Sequence, residues 1–128
     1  MNALAVDDLR KTFGGEPAVD DISLTVEQGE FFSLIGPSGC GKTTTLRMLA
    51  GLLTPDAGQV MLNGDDVTDR PARERATNMV FQDLVLFPHM SVAENVGYGL
   101  ARSGVTEPER GQRVEDALAL VNLAGFGD

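Results

Sequence analysis

The 128-residue sequence predicts an α/β fold, and three observations carry that expectation. An almost continuous apolar run, residues 31–35, enters a glycine-rich loop that opens into a helix-forming segment. Residues 59–62 and 65–67 flank Asn63-Gly64, a strong signal for a two-residue hairpin turn. Strand patterns come early and helical periodicity late, with the strand–loop–helix unit between them.

Taken in order, residues 4–13 alternate loosely and read as a strand ending at the Gly14-Gly15 turn. Residues 22–26 form a second strand that turns at Gln28-Gly29. Residues 31–35 suit a strand buried on both faces. A helix from about Thr43 to Ala50 stops at Gly51. Beyond the hairpin, residues 78–81 read as another buried strand. Ser91 and Glu94 make a capping box that opens a helix with Val92, Val96 and Leu100 on one face. Residues 108–123 place Val114, Ala117, Leu118, Val121 and Leu123 close to helical spacing. No internal repeat, low-complexity stretch or interdomain linker interrupts the sequence, and its length suits one domain.

Composition narrows the function. A 42% hydrophobic and 23% charged content supports a packed core. The longest apolar run, residues 117–121, falls far short of the roughly 20 residues of a membrane-spanning helix. Met1 to Val6 meets Asp7 and Asp8, too short and too soon acidic for a signal peptide, so a cytoplasmic location is expected. The lone cysteine, Cys40, excludes an internal disulfide or a thiolate metal cage. Nineteen acids against ten bases give −9, without the clustered Lys and Arg that nucleic-acid binding uses. The acid-rich, lysine-poor balance fits a salty cytosol, and a GC-rich genome accounts for the Arg and Ala bias equally well.

The strand–loop–helix unit carries the chemistry. Gly36-Pro37-Ser38-Gly39-Cys40-Gly41-Lys42-Thr43 fits G-x-x-x-x-G-K-[ST] at every fixed position. Glycine allows positive φ, so backbone N–H groups can turn inward onto phosphate oxygens. The following helix points its positive end at the same anion. Lys42 supplies a point charge for the β- and γ-phosphates, and the Thr43 hydroxyl can ligate Mg²⁺. A glycine-rich turn with a solvated lysine is the plainer reading; the preceding apolar strand and the following helix former argue against it.

A phosphate loop alone leaves GTPases, small-molecule kinases and transport ATPases open. Further segments narrow the choice: Leu9-Arg10-Lys11-Thr12-Phe13-Gly14, residues 19–24, Gly29-Glu30-Phe31-Phe32, Leu49-Ala50-Gly51-Leu52 and Thr54-Pro55-Asp56-Ala57-Gly58. The most specific is Met79-Val80-Phe81-Gln82-Asp83, continuing through residues 86–96. With these, the sequence resembles the N-terminal half of an ABC transporter ATP-binding subunit over essentially all 128 residues. The resemblance implies a P-loop NTPase with a RecA-like core and an antiparallel β-subdomain, followed by the start of an α-helical subdomain, truncated. Residues 1–82 would be the ATP-binding core and β-subdomain, and 83–128 the Q-loop and partial helical subdomain.

The same resemblance assigns roles. Phe13 would stack on adenine, a task π-stacking allows to Phe or Tyr alike; a strand-end core residue is the alternative. Val19, Gly36, Pro37, Ser38, Gly39, Cys40, Gly41, Lys42, Thr43 and Thr44 would hold ATP, with Lys42 and Gln82 in catalytic roles and Thr43 and Gln82 on Mg²⁺. Without its motif, Gln82 would read as a solvated loop side chain. Cys40 reads as a small space-filler rather than a nucleophile. His89 belongs at a membrane-subunit contact or in a solvated loop, because the family's switch histidine comes later. The acid pairs Asp7-Asp8, Asp20-Asp21 and Asp65-Asp66 read as solvated surface.

The implied function is that of an importer subunit coupling ATP binding and hydrolysis to transport of a small solute, peripheral at the cytoplasmic face of the membrane. Its partners would be transmembrane permease subunits, a second ATP-binding subunit and, indirectly, an extracytoplasmic solute-binding protein, with no nucleic acid. Residues 66–71 and 87–90 resemble importers of polyamines, ferric iron, sulfate or molybdate, and sugars, with Phe87 before Pro88 leaning away from sugars. The 128 residues contain no Leu-Ser-Gly-Gly-Gln signature, no apolar run ending in Asp-Glu and no switch histidine. The polypeptide alone is therefore expected to be inactive and aggregation-prone, its apolar strands uncovered. A soluble ABC-type ATPase and a non-catalytic remnant stay open as alternatives. A GTPase or kinase would need an Asn-Lys-x-Asp guanine motif or a basic lid, and neither occurs.

Overall fold

Strand β1 (Asn2–Phe13) lies between β2 (Glu16–Glu27) and β3 (Ala57–Leu62), and β4 (Asp65–Asp66) closes the antiparallel order β2-β1-β3-β4. The computed structural model describes residues 1–83 and 85–128 and divides into two units, Met1–Val80 and Phe81–Asp128. The sheet belongs to the first unit. So does α1 (Lys42–Ala50), whose Met48 joins Val6, Leu9, Val19, Val60 and Val67 in one buried cluster.

Val6 and Leu9 are three residues apart, so simple alternation would turn them to opposite faces. A bulge resolves this. Val6 pairs with Leu24 and Leu9 with Ile22, so Asp7 and Asp8 together face Ser23. Asp8 takes φ 45°, and its N–H donates to Ser23 Oγ at 2.8 Å. A second bulge follows on β2, where Asp21 takes φ 51° and ion-pairs with Arg10. Asp66 accepts hydrogen bonds from Thr68 N–H (2.9 Å) and Oγ1 (2.6 Å). Each acid pair expected to be plain solvated surface thus has one member building backbone geometry, because Asp tolerates the left-handed region and bonds locally.

β2 begins at Glu16, earlier than the expected residue 22, since the tight Gly14-Gly15 turn returns the chain at once to pair Phe13 with Glu16. The hairpin at Asn63-Gly64 forms as expected, with both residues at positive φ. Two expectations fail. Residues 31–35 and 78–81 are not strands, and Phe31, Ile35 and Val80 are more than nine-tenths exposed. An apolar run becomes a buried strand only where neighbours supply ladder partners and cover; among the described residues, the sheet is made wholly from the four strands above.

In the second unit, α2 (Val92–Arg102) starts with the expected capping box, Glu94 N–H to Ser91 Oγ at 3.2 Å and Ser91 N–H to Glu94 Oε2 at 2.7 Å. The expected apolar face is corrected. Val92 and Val96 stay about 40% exposed, and the buried residue is Gly97, where an added Cβ would lie 3.1 Å from Val114 of α3 (Glu109–Leu120). A glycine contributes nothing to a hydrophobic pattern, yet it admits the neighbouring valine. α3 buries Val114 and Leu118, then stops short of residue 123. Asn122 turns to φ 61° and Leu123 N–H closes on the Leu118 carbonyl at 2.7 Å.

Candidate functional site

The glycine-rich loop leads straight into α1, and Gly39 and Gly41 adopt φ 80° and 92°. Gly41 has a second reason to be glycine: a Cβ there would overlap the Ala18 carbonyl oxygen and come 3.3 Å from Val19 Cγ2. Val19, expected near the nucleotide, is buried in the core beneath the loop. Gly36 is likewise crowded, its missing Cβ 2.6 Å from Cys40 Sγ.

No side chain caps α1 and no acid sits in its first turn, in contrast with the capped α2. The first-turn N–H groups are left for an external acceptor, and no acidic side chain of that turn opposes an anion. Lys42, half-buried, folds its ammonium into the loop, donating to the Gly36 and Pro37 carbonyls, the latter at 2.9 Å, with Cys40 Sγ at 3.6 Å. Thr45 turns inward, its Oγ1 donating to the Gly41 carbonyl at 2.8 Å. Pro37, Ser38, Gly39, Cys40 and Thr43 are exposed and Thr44 half-buried. The uncapped start of α1 and the Lys42 ammonium make this end of the loop electropositive, a setting that suits an anion.

Phe13 ends β1 half-exposed, with Lys11 Nζ 5.6 Å from its ring centroid. Lys11 in turn donates to the Thr54 carbonyl (2.9 Å) and to Asp56 Oδ1 (3.2 Å), while Asp56 Oδ2 accepts from Thr12 N–H at 2.8 Å. The Thr12 N–H and then Lys11 hold the Asp56 carboxyl below the usual carboxylate range. Two motifs some 45 residues apart in sequence are therefore one structural knot at the foot of Phe13.

Gln82 is exposed and belongs to the second unit, so the expected Thr43–Gln82 pair is divided between the two units. Leu84, just beyond it, lies outside the described residues. Asn95, which the sequence did not single out, holds the following loop. Its amide accepts from Phe87 N–H at 2.9 Å and donates to the carbonyls of Phe87, Met90 and Ser91 at 3.2, 3.3 and 2.9 Å. Phe87 also stacks at 4.7 Å on Tyr98 of α2, with His89 at 6.0 Å. Arg75 is the other residue missed. It is buried, with its guanidinium on the carbonyls that end α1. Arg70, Arg73 and Arg75 look alike in sequence, and nothing in their spacing distinguishes the buried one.

A family profile described as ABC transporter matches residues 19–128. The chain belongs to the ABC transporter family. Among the relatives of this ABC transporter chain is the Fe(3+) ions import ATP-binding protein FbpC of Agrobacterium fabrum, 53% identical over 125 residues, covering 98% of the chain and 35% of that protein. The FbpC of Escherichia coli K12 is 50% identical over 127 residues, covering 99% and 36%. FbpC 1 of Rhizobium meliloti is 55% identical over 117 residues, covering 91% and 33%. The chain spans about one third the length of these curated relatives. A solved ATP-binding cassette of an ABC transporter matches with a TM-score of 0.83 and 26% identity, over 100% of this chain and 57% of that one. The α/β architecture with an antiparallel sheet is thus that of an ABC cassette. No helix among the described residues is long and apolar enough to cross a membrane.

Proposed function

We propose that these residues form the ATP-binding part of an importer's ATP-binding subunit, with the loop from Gly36 to Thr44 cradling the phosphates. The supporting observation is the uncapped, acid-free N-terminus of α1 with the Lys42 ammonium drawn into the glycine loop above it. Phe13 takes the adenine face, Lys42 the β- and γ-phosphates, and Gln82 the attacking water. Val19 supports the loop from beneath rather than touching ATP.

Mg²⁺ fits this donor set. Thr43, exposed in the first turn of α1 beside Lys42, offers a hydroxyl of the kind that accompanies phosphate oxygens on Mg²⁺. Mg²⁺ characteristically takes one or two protein ligands together with phosphate oxygens. Thr43 would hold it, and it would neutralise phosphate charge. Residues 1–82 then serve as nucleotide core and β-subdomain, and residues 83–128 as Q-loop and the start of the helical subdomain.

In the whole protein this part serves ATP hydrolysis coupled to solute import, at the cytoplasmic face of the membrane, with permease subunits and a second ATP-binding subunit. The names of the FbpC relatives favour ferric iron as the solute. Titration with a fluorescent ATP analogue, with and without Mg²⁺, tests the site; ATP binding unchanged by Lys42→Ala would overturn it. Disrupting the gene should lower radiolabelled ferric iron uptake while leaving other solutes unaffected, and unaltered iron uptake would exclude that solute.

A further inference from the structure

Arg75 is 8% exposed and is the only buried charged side chain among the described residues. It forms no salt bridge there; its guanidinium bonds only to backbone carbonyls. Nη1 donates to Met48 at 2.7 Å and Leu49 at 3.1 Å, Nε to Arg70 at 2.8 Å, and Nη2 to Thr68 at 3.0 Å. Met48 and Leu49 lie in the last turn of α1, the helix whose first turn carries Lys42 and Thr43. Thr68 and Arg70 lie just beyond β4, on the stretch that passes through the short turn Ala72–Glu74 to Arg75 itself. Gln82 follows seven residues later in the sequence.

The geometry is a four-point clamp. Burial pushes the guanidinium pKa down, yet arginine stays charged in proteins, so a cation sits on the negative end of the α1 dipole. The helix end also rests directly on the Arg75 segment: a Cβ on Gly51 would lie 2.7 Å from Arg75 Nε and 2.8 Å from Ala72 N. With Thr45 and Met48 buried on one face, the nine-residue α1 has little freedom to move without moving its clamp.

We propose that Arg75 is a positioning residue that links the phosphate-loop helix to residues 68–75, so that ATP at the first turn of α1 tightens the segment bound at its last turn. The inference rests on the ATP-binding reading of residues 36–44. A bolt that merely held the fold together would alter protection equally with and without nucleotide; a link changes the nucleotide-dependent part.

Amide hydrogen exchange with and without MgATP, on the parent protein and on Arg75→Lys and Arg75→Met, separates these cases. In the parent, MgATP should slow exchange at residues 36–44 and also, by at least about fivefold, at residues 68–75. In Arg75→Met the second effect should vanish while the first persists. Arg75→Lys should fall between, since an ammonium keeps the charge but cannot span four carbonyls. Slowing at 36–44 with none at 68–75 in the parent overturns the link, as does an undiminished effect at 68–75 in either variant. No slowing at 36–44 in the parent overturns the ATP-site reading and the link with it. The parent and the lysine variant decide the question even if the methionine variant does not fold.

Discussion

Gly41 in the phosphate loop and Ala18 in β2 approach so closely that no Cβ fits between them. The loop is therefore seated on the sheet by close backbone approach, with the Val19 side chain beside it, and its height above β2 is fixed by the absence of an atom. Gly41→Ala adds steric overlap to a residue already at φ 92°. Backbone strain of this kind costs on the order of 1–3 kcal/mol. The urea midpoint should fall accordingly and ATP affinity should fall with it; a variant as stable as the parent would show that the loop can lift from β2 freely.

Lys42→Ala should leave the fold intact, since the side chain is only half-buried, but weaken ATP binding. Hydrogen bonds to a charged group contribute about 1.5–3 kcal/mol, or roughly 10- to 100-fold in affinity. Equilibrium titration alongside a thermal melt separates the two effects. An unchanged dissociation constant would remove Lys42 from the site.

Cys40 is exposed and lies 3.6 Å from the Lys42 ammonium. Bound ATP should slow its alkylation by a maleimide, with Lys42→Ala shifting the protection to higher ATP concentration. Equal rates with and without ATP would place the nucleotide elsewhere.

Asp56 predicts an acid-dependent loss. Its carboxyl is held low by Thr12 N–H and Lys11, so its folded pKa lies below the unfolded value of about 3.9. The stabilisation is present above the unfolded pKa and disappears as pH falls through the folded one. Asp56→Asn should thus be less stable than the parent at neutral pH, with the gap closing below about pH 4. Urea midpoints compared across that range check this; a gap independent of pH would exclude the ionised carboxylate as its source.

Asn95→Ala would leave the Phe87 N–H and the Met90 carbonyl without their partner, while the Phe87 and Ser91 carbonyls keep the backbone N–H groups of Met90 and Asn95. Leaving such groups unsatisfied costs about 1–3 kcal/mol each where water cannot replace the bond. Limited proteolysis should open cleavage near Phe87 and Met90 while the first unit stays resistant. A proteolysis pattern identical to the parent's would show that Tyr98 stacking alone holds the loop.

The glycine-rich turn into α1 was legible because glycines at positive φ and a helix former after them are written one residue at a time. The hairpin at Asn63-Gly64 and the Ser91 box were legible for the same local reason. Residues 31–35 and 78–81 misled because an apolar run states what burial a segment suits and not whether another strand pairs with it. Gly97 and Arg75 were silent: one acts through a missing side chain, and the other through carbonyls that every residue possesses. The bulges at Asp8 and Asp21 were hidden for a related cause, since a strand's alternation shows a break without revealing which partner absorbs the extra residue.

Those bulges bear on how the molecule avoids its own kind. β2 is a twelve-residue strand at the border of the sheet, long enough to template a foreign strand along its free side. It carries Pro17 near one end, Glu27 at the other, and the Asp20-Asp21 kink between them. The opposite border, β4, is only two residues long and both are aspartates. Proline withholds a donor, the kink breaks the ladder's rhythm, and like charges repel an identical edge, so neither β2 nor β4 offers a straight seam along which two copies could zip.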